Sequence, residues 1–121
     1  MEKKKTLVIG ASENPARYSN LAINRLVKNS YPVVAIGKKK GTVAGIIIET
    51  EKIKLENIDT VTLYLNADHQ KEYYDYIISV HPKRIIFNPG TENDELAQLA
   101  LKNNIKPVEA CTLVMLSTGQ Y

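Results

Sequence analysis

The chain has 121 residues, of which 44% are apolar and 24% charged, and its formal net charge is +3. This length predicts one domain over residues 1–121, and this composition is typical of a globular protein rather than a disordered one. The charge is too small to indicate nucleic-acid binding, and no apolar run approaches the roughly 18 residues that span a bilayer. With no signal-peptide pattern at the N-terminus, we expect a cytoplasmic protein that binds neither nucleic acid nor membrane.

Short apolar runs alternate with segments of helical periodicity along the chain. Each run is short and nearly continuous, which is typical of parallel strands buried on both faces. The predicted strands are residues 6–10, 32–36, 45–48, 60–65, 84–88 and 106–110, and a closing helix is predicted at 111–117. This alternation predicts a doubly wound α/β fold with a mostly parallel sheet and helices on both faces.

The first candidate site is the turn after the first strand. Ligands of doubly wound folds bind beyond the carboxyl ends of the strands, and Gly10 there permits a tight turn before a helix whose N–H groups attract an anion. Neither common glycine-rich nucleotide motif is present. The candidate phosphate contacts are Gly10, Ala11, Ser12, Pro15, Arg17, Ser19 and Asn20. For Ser19 and Asn20, capping of the helix is an equally good interpretation.

The second candidate site is a lysine-rich loop after the second strand. NAD-binding folds place an acidic residue there for the ribose hydroxyls, whereas this chain continues with Gly37, Lys38, Lys39 and Lys40. Positive charge favours an adenosine that carries an extra phosphate, as in NADP or coenzyme A. The residues themselves leave these two ligands open, and a solvent-exposed lysine loop is a third interpretation.

Three segments together carry a resemblance to a known family: GASENPARYSN (10–20), RIIFNPGTEN (84–93) and VEACTLVMLSTGQY (108–121). They resemble the small stand-alone CoA-binding domain proteins of bacteria, which are related to the CoA-binding domain of the succinyl-CoA synthetase alpha subunit. The resemblance covers essentially the whole chain. It implies a single Rossmann-like domain in which the first turn faces the CoA pyrophosphate and the loop after the second strand holds the adenosine end.

Further candidate contacts follow the third and fourth long strands, at Asn66 and at the turn Asn88, Pro89 and Gly90. Under the resemblance, Asn88 is placed to hydrogen-bond an amide of the pantetheine arm, and Gly90 to bring backbone N–H groups close to it. The alternative is an ordinary turn in which Thr91 caps the next helix.

No catalytic or metal-binding set of residues is visible in the sequence. His69 and His81 have no acidic residue or cysteine at a suitable spacing. Cys111, the single cysteine, is expected to be a buried structural residue, with a mixed disulfide to CoA as the alternative. Related synthetases use a phosphorylated histidine outside this domain, so the resemblance implies no synthetase activity.

The sequence therefore predicts a non-catalytic module that binds coenzyme A or an acyl-CoA. Two enzymatic alternatives remain open: an NADP-binding reductase, and a detached synthetase subunit that needs a partner chain. An interaction module that has lost its ligand is a further alternative. Whether the chain forms a homodimer or binds a partner protein is also left open.

Overall fold

The apolar runs of the sequence form the strands of one sheet. The computed structural model describes residues 3–121, so the first two residues of the predicted domain lie outside the described residues. The strands are β1 (Thr6–Ile9), β2 (Val33–Ile36), β3 (Gly41–Val43), β4 (Ile46–Glu49), β5 (Thr60–Leu63), β6 (Arg84–Phe87) and β7 (Lys106–Glu109). Their order across the sheet is β3-β4-β2-β1-β5-β6-β7, and only the β3–β4 pair is antiparallel.

Helices cover both faces of this sheet, as predicted. They are α1 (Tyr18–Lys28), α2 (Ala67–Gln70), α3 (Tyr74–Val80), α4 (Asp94–Lys102) and α5 (Thr112–Ser117), with a short 3₁₀ turn at Lys71–Tyr73. Successive residues of β1 point to opposite faces: Leu7 packs with Ile77 and Leu96, whereas Val8 packs with Ile23. Since these partners come from α3, α4 and α1, the doubly wound prediction is confirmed. No helix within residues 3–121 has the length and apolar character needed to cross a membrane.

The strand order reverses at β1, which pairs with β2 on one side and β5 on the other. Leu7 aligns with Val34 in one neighbour and with Val61 in the other. Chain connections diverge at such a point and leave a crevice beyond the carboxyl ends of the strands. The predicted sites therefore lie around one crevice.

One strand was not predicted. β3 pairs with β4 through a tight hairpin at the edge of the sheet, in which Ala44 and Gly45 both have positive φ angles, 51° and 81°. A two-residue turn of this kind matches the twist of antiparallel strands. Of the three residues of β3, only Val43 is buried, so the strand leaves no apolar run in the sequence.

Tyr121 fastens the last residues of the chain to the amino ends of the strands. Its ring is 6% exposed, and its hydroxyl shares a hydrogen bond with the Thr6 hydroxyl. The Arg84 guanidinium lies 4.5 Å from the ring centroid and donates to the Tyr121 carbonyl at 2.9 Å. Tyr31 contacts the same ring edge-on at 5.0 Å. One aromatic residue thus links β1, β6 and the loop before β2.

We expect Tyr121→Ala to lower the free energy of unfolding by about 3–5 kcal/mol, because it removes a large buried ring, its hydrogen bond to Thr6 and its contacts with Arg84 and Tyr31. Urea unfolding followed by circular dichroism measures this value. Gln120→Ala is the matched control, since Gln120 is exposed, and its effect should stay within about 0.5 kcal/mol. Equal effects of the two changes would contradict this role of Tyr121.

Candidate functional site

A cavity of about 850 Å³ opens at the crevice where the strand order reverses. Its walls are the turn after β1, the lysine-rich loop after β2, and the loops after β5 and β6. The predicted site residues that line it are Gly10, Ala11, Ser12, Arg17, Ser19, Lys38, Lys39, Asn66, Pro89 and Gly90. Lys40, from the predicted lysine-rich loop, lines it as well. Residues that line it and were not predicted as site residues are Glu13, Asn14, Tyr18, Tyr64, Leu65, His69 and Thr91.

Two glycines allow the backbone to pass closely through this crevice. Gly10 has φ +98°, and a Cβ atom there would lie 2.9 Å from the carbonyl carbon of Tyr64. At Gly37 a Cβ atom would lie 2.3 Å from the carbonyl oxygen of Ala11. Gly37 was predicted as a ligand contact, but it does not line the cavity. Its position shows instead that it lets the first turn pack directly on the end of β2.

Side-chain hydrogen bonds fix the shape of the first turn. The Ser12 hydroxyl accepts from the Asn14 N–H at 3.1 Å, and the Asn14 side chain accepts from the Ala16 N–H at 3.0 Å. Asn20, which was predicted to contact a ligand, donates instead to the Ser12 carbonyl at 3.0 Å and accepts from Asn24 at 2.9 Å. Asn20 thus supports the turn from behind and does not line the cavity. Pro15 is exposed and also lies outside the lining.

Helix α1 begins without a side-chain cap. Arg17 occupies the N-cap position and makes no capping hydrogen bond, so the interpretation of Ser19 and Asn20 as caps is wrong. Within the described residues, the backbone N–H groups of Tyr18 and Ser19 have no acceptor. The Ser19 side chain, on a residue only 2% exposed, also makes no hydrogen bond there. These donors and the positive end of the helix dipole lie at the wall of the cavity.

The lysine-rich loop brings positive charge to the same cavity. Lys38, Lys39 and Lys40 are exposed, and the one salt bridge within residues 3–121 joins two residues elsewhere, Lys83 and Asp59. A carboxylate does line the cavity, that of Glu13, but it accepts a hydrogen bond from the backbone N–H of Thr42 at 2.9 Å. Glu13 therefore links the first turn to β3 and holds the end of the lysine loop in place.

A second, smaller cavity of about 240 Å³ adjoins the first. Tyr18, Tyr64 and Pro89 line both cavities. The remaining walls of the second cavity are Asn88, Cys111 and Leu113. Cys111 is half-buried here rather than fully buried as expected, and it precedes α5. The pairing of β6 with β5 and the start of α5 thus create a second space that no sequence motif indicated.

The Asn88 amide holds the walls of this second cavity together. Its nitrogen donates to the Thr62 hydroxyl at 2.6 Å and to the Leu63 carbonyl at 2.9 Å, and its oxygen accepts from the Thr112 N–H at 2.9 Å. Both amide protons are therefore used within the protein. Asn88 was predicted to hydrogen-bond a ligand amide. Of its side-chain atoms, only the oxygen can still do so, as an acceptor.

The turn after Asn88 also differs from its predicted roles. The Gly90 N–H donates to the Glu92 carboxylate at 2.9 Å, so this donor is already occupied. Thr91 does not cap α4; its hydroxyl donates to the Asn88 carbonyl at 2.8 Å, and Asn93 is the capping residue. Asn66 caps α2 by accepting from the His69 N–H at 3.1 Å.

A buried glutamine that the sequence did not reveal ties these loops to each other. Gln70 is fully buried and donates to the Leu65 carbonyl at 2.8 Å and to the Thr91 carbonyl at 2.7 Å. Its oxygen accepts from the Asn93 amide at 2.9 Å. The loops after β5 and β6 therefore form one wall with satisfied polar groups.

A family model described as a CoA binding domain matches residues 4–117. The chain belongs to this CoA-binding domain family. No curated protein matches the chain. Among solved structures, one described as an uncharacterized protein is 48% identical, with a TM-score of 0.96 and 100% of each chain covered.

Two more distant structures share the fold of this CoA-binding domain. A hypothetical protein from Pyrococcus horikoshii OT3 is 24% identical, with a TM-score of 0.87, over 96% of this chain and 83% of that one. The dinucleotide forming acetyl-coenzyme A synthetase 1 of Ca. Korarchaeum cryptofilum is 15% identical, with a TM-score of 0.75. The match covers 89% of this chain and 26% of the synthetase, so the chain spans about a quarter of that protein.

The histidines of this CoA-binding domain lie in different places. His69 is exposed on the wall of the larger cavity, and its ring makes no hydrogen bond within the described residues. His81 ends α3 with φ 50° and bonds the Asn103 carbonyl at 3.0 Å, outside the lining of both cavities. Only His69 is placed to meet a ligand, and no periodicity or spacing had distinguished it.

Tyr64 carries a buried hydroxyl without a hydrogen-bond partner among the described residues. The nearby hydroxyls of Thr62 and Thr112 bond each other at 2.8 Å. Burial raises the pKa of the Tyr64 phenol to about 12 from its usual 10, an effect that the two threonines offset only in part. The folded protein therefore strongly favours the neutral phenol.

This raised pKa predicts a loss of stability at alkaline pH. Between pH 10 and 12 the unfolded chain releases the Tyr64 proton and the folded chain retains it, so the free energy of unfolding falls as pH rises. At pH 11 this residue accounts for a loss of about 1.4 kcal/mol. We expect Tyr64→Phe to be at least as stable as the wild type at pH 8, since it removes an unpartnered hydroxyl.

Urea unfolding of both proteins at pH 8 and pH 11 tests this expectation. Between pH 8 and pH 11, the free energy of unfolding should decline by about 1.4 kcal/mol less in Tyr64→Phe than in the wild type. Identical declines in the two proteins would show that Tyr64 has the same pKa in the folded and unfolded chains.

Proposed function

We propose that the chain is a one-domain, non-catalytic module that binds coenzyme A or an acyl-CoA. In this proposal the pyrophosphate lies at the turn between β1 and α1, and the phosphorylated adenosine lies at the loop Lys38–Lys40. The observation that carries it is the shared lining of one cavity by the uncapped start of α1 and by lysines that form no salt bridge within residues 3–121.

The pyrophosphate position is supported by three kinds of donor at one place. Tyr18 and Ser19 offer backbone N–H groups without acceptors, and Ser19 adds a hydroxyl that the turn does not use. Arg17 adds a guanidinium that makes no hydrogen bond within the described residues. Anions at a helix N-terminus gain about 0.3–1 kcal/mol from the dipole, and more from charged hydrogen bonds.

The adenosine position is supported by charge. The 3′-phosphate of CoA is a dianion, and lysine ammonium groups bind phosphate as point charges. The loop that presents Lys38 and Lys39 is held at both sides, by the packing of Gly37 on Ala11 and by the bond from Thr42 to Glu13. The backbone that carries these lysines is therefore held in place at both ends of the loop.

A binding role rather than a catalytic one is supported by how the lining side chains are used. Within residues 3–121 the turn residues bond one another, and no three His, Cys, Asp or Glu side chains cluster as a metal site. Among these residues, no group is hydrogen-bonded to the His69 ring to orient it as an acid or base.

The double variant Lys38→Ala, Lys39→Ala should weaken CoA binding by about tenfold to a hundredfold, because charged hydrogen bonds to the 3′-phosphate are lost. Binding of dephospho-CoA should change by less than about threefold. Isothermal titration with ligand-free protein measures both affinities, and NAD and NADP are titrated in the same series.

The matched control is Lys28→Ala with Lys102→Ala, which removes the same charge from exposed lysines outside the cavity. This variant should bind CoA like the wild type. Equal losses for CoA and dephospho-CoA in the first variant would contradict the phosphate assignment. Binding of NADP without CoA would overturn the proposed function.

A further inference from the structure

The second cavity opens beside the proposed CoA site and is not needed for phosphates or adenosine. Tyr18, Tyr64 and Pro89 belong to the walls of both cavities, so the two spaces are neighbours at those side chains. A ligand that occupies both cavities therefore lies against these three residues. This arrangement suits the terminal part of a long ligand whose charged end lies elsewhere.

The order of the strands gives such a ligand a direction. The lysine loop follows β2, the first turn follows β1, and the second cavity lies where β6 and α5 meet, at Asn88 and Leu113. From β2 to β6 there are three intervals in the sheet, or roughly 14 Å at about 4.8 Å each. A ligand with adenosine at the lysines and pyrophosphate at α1 therefore directs its thiol end toward the second cavity.

The lining of the second cavity is chemically unsuited to a charged group. None of its six residues carries a charged side chain: they are two tyrosines, one asparagine, one proline, one cysteine and one leucine. The Asn88 amide donates both of its protons within the protein, to the Thr62 hydroxyl and the Leu63 carbonyl. What remains toward the cavity is mainly aromatic and aliphatic surface, which favours an apolar guest.

The size of the cavity sets a limit on that guest. An apolar cavity of about 150 Å³ holds a six-carbon ring, and a water-sized group takes about 30 Å³. A space of about 240 Å³ thus has room for roughly eight non-hydrogen atoms. The two carbons and the sulfur at the end of the pantetheine arm leave room for an acyl group of about four carbons.

We propose that the second cavity, lined by Tyr18, Tyr64, Asn88, Pro89, Cys111 and Leu113, holds the acyl group of a short-chain acyl-CoA thioester. This inference rests on the proposed function, and it selects short-chain thioesters over free CoA and over long-chain forms. Leu113 lies on the wall of this cavity and in neither group of phosphate contacts, so a change in its size alters the acyl space and leaves the phosphate contacts in place.

The test is isothermal titration of the full chain with CoA, acetyl-CoA, butyryl-CoA and palmitoyl-CoA, in a reductant that keeps Cys111 and the CoA thiol reduced. Butyryl-CoA should bind about tenfold or more tightly than CoA, with acetyl-CoA between them, because each buried methylene adds to the affinity. Palmitoyl-CoA should show none of this gain below its micellar concentration.

Two changes at one position should move the preference in opposite directions. Leu113→Phe should reduce the advantage of butyryl-CoA over CoA to less than about twofold, and Leu113→Ala should shift the tightest binding to hexanoyl-CoA. Val114→Phe is the matched control, since Val114 is the next residue, is 55% exposed and does not line the cavity. In Val114→Phe, the ratio of the butyryl-CoA affinity to the CoA affinity should equal the wild-type ratio.

The outcomes separate this inference from the proposed function. Saturable CoA binding with equal affinity for all four ligands would overturn the acyl pocket and leave the proposed function standing. Unchanged ratios in both Leu113 variants, with melting temperatures showing that they fold, would overturn it as well. Absence of binding by every CoA form would overturn both.

Discussion

The backbone of the first turn passes between the ends of β2 and β5 without room for a side chain, and the rest of the site depends on this close passage. A Cβ atom at Gly37 would lie 2.3 Å from the Ala11 oxygen, and one at Gly10 would lie 2.9 Å from the Tyr64 backbone. Because the turn is held this close, α1 starts directly over the point where the strand order reverses. Its uncapped N–H groups therefore lie at the wall of the cavity.

The opposite walls depend on buried amides rather than on close backbone contact. Asn88 links β6 to β5 and to the start of α5, and Gln70 links the loop after β5 to the turn at Thr91. Buried polar groups of this kind stabilise a structure only when each one has its partners, and here both amides do. The Tyr64 hydroxyl is left outside that network, and its burial raises the pKa of the phenol.

The two cavities differ in charge, and this difference gives the site an orientation. Lys38, Lys39 and Arg17 lie around the larger cavity, while the smaller one is lined by uncharged side chains. A ligand with phosphates at one end and an uncharged arm at the other has one favourable way to lie across them. Membership in the CoA-binding domain family agrees with such a ligand.

The sequence by itself determined the alternating fold, the tight turn at Gly10 and the positive charge after β2. These follow from hydrophobic period, backbone freedom and side-chain charge, which are properties of neighbouring residues. Only the tertiary structure decided that Gly37 packs against Ala11 outside the cavity lining, that Asn88 donates both amide protons within the protein, and that Tyr64 lines both cavities. Their roles depend on partners tens of residues away, and no local pattern records which distant segment will supply a hydrogen bond or leave a space.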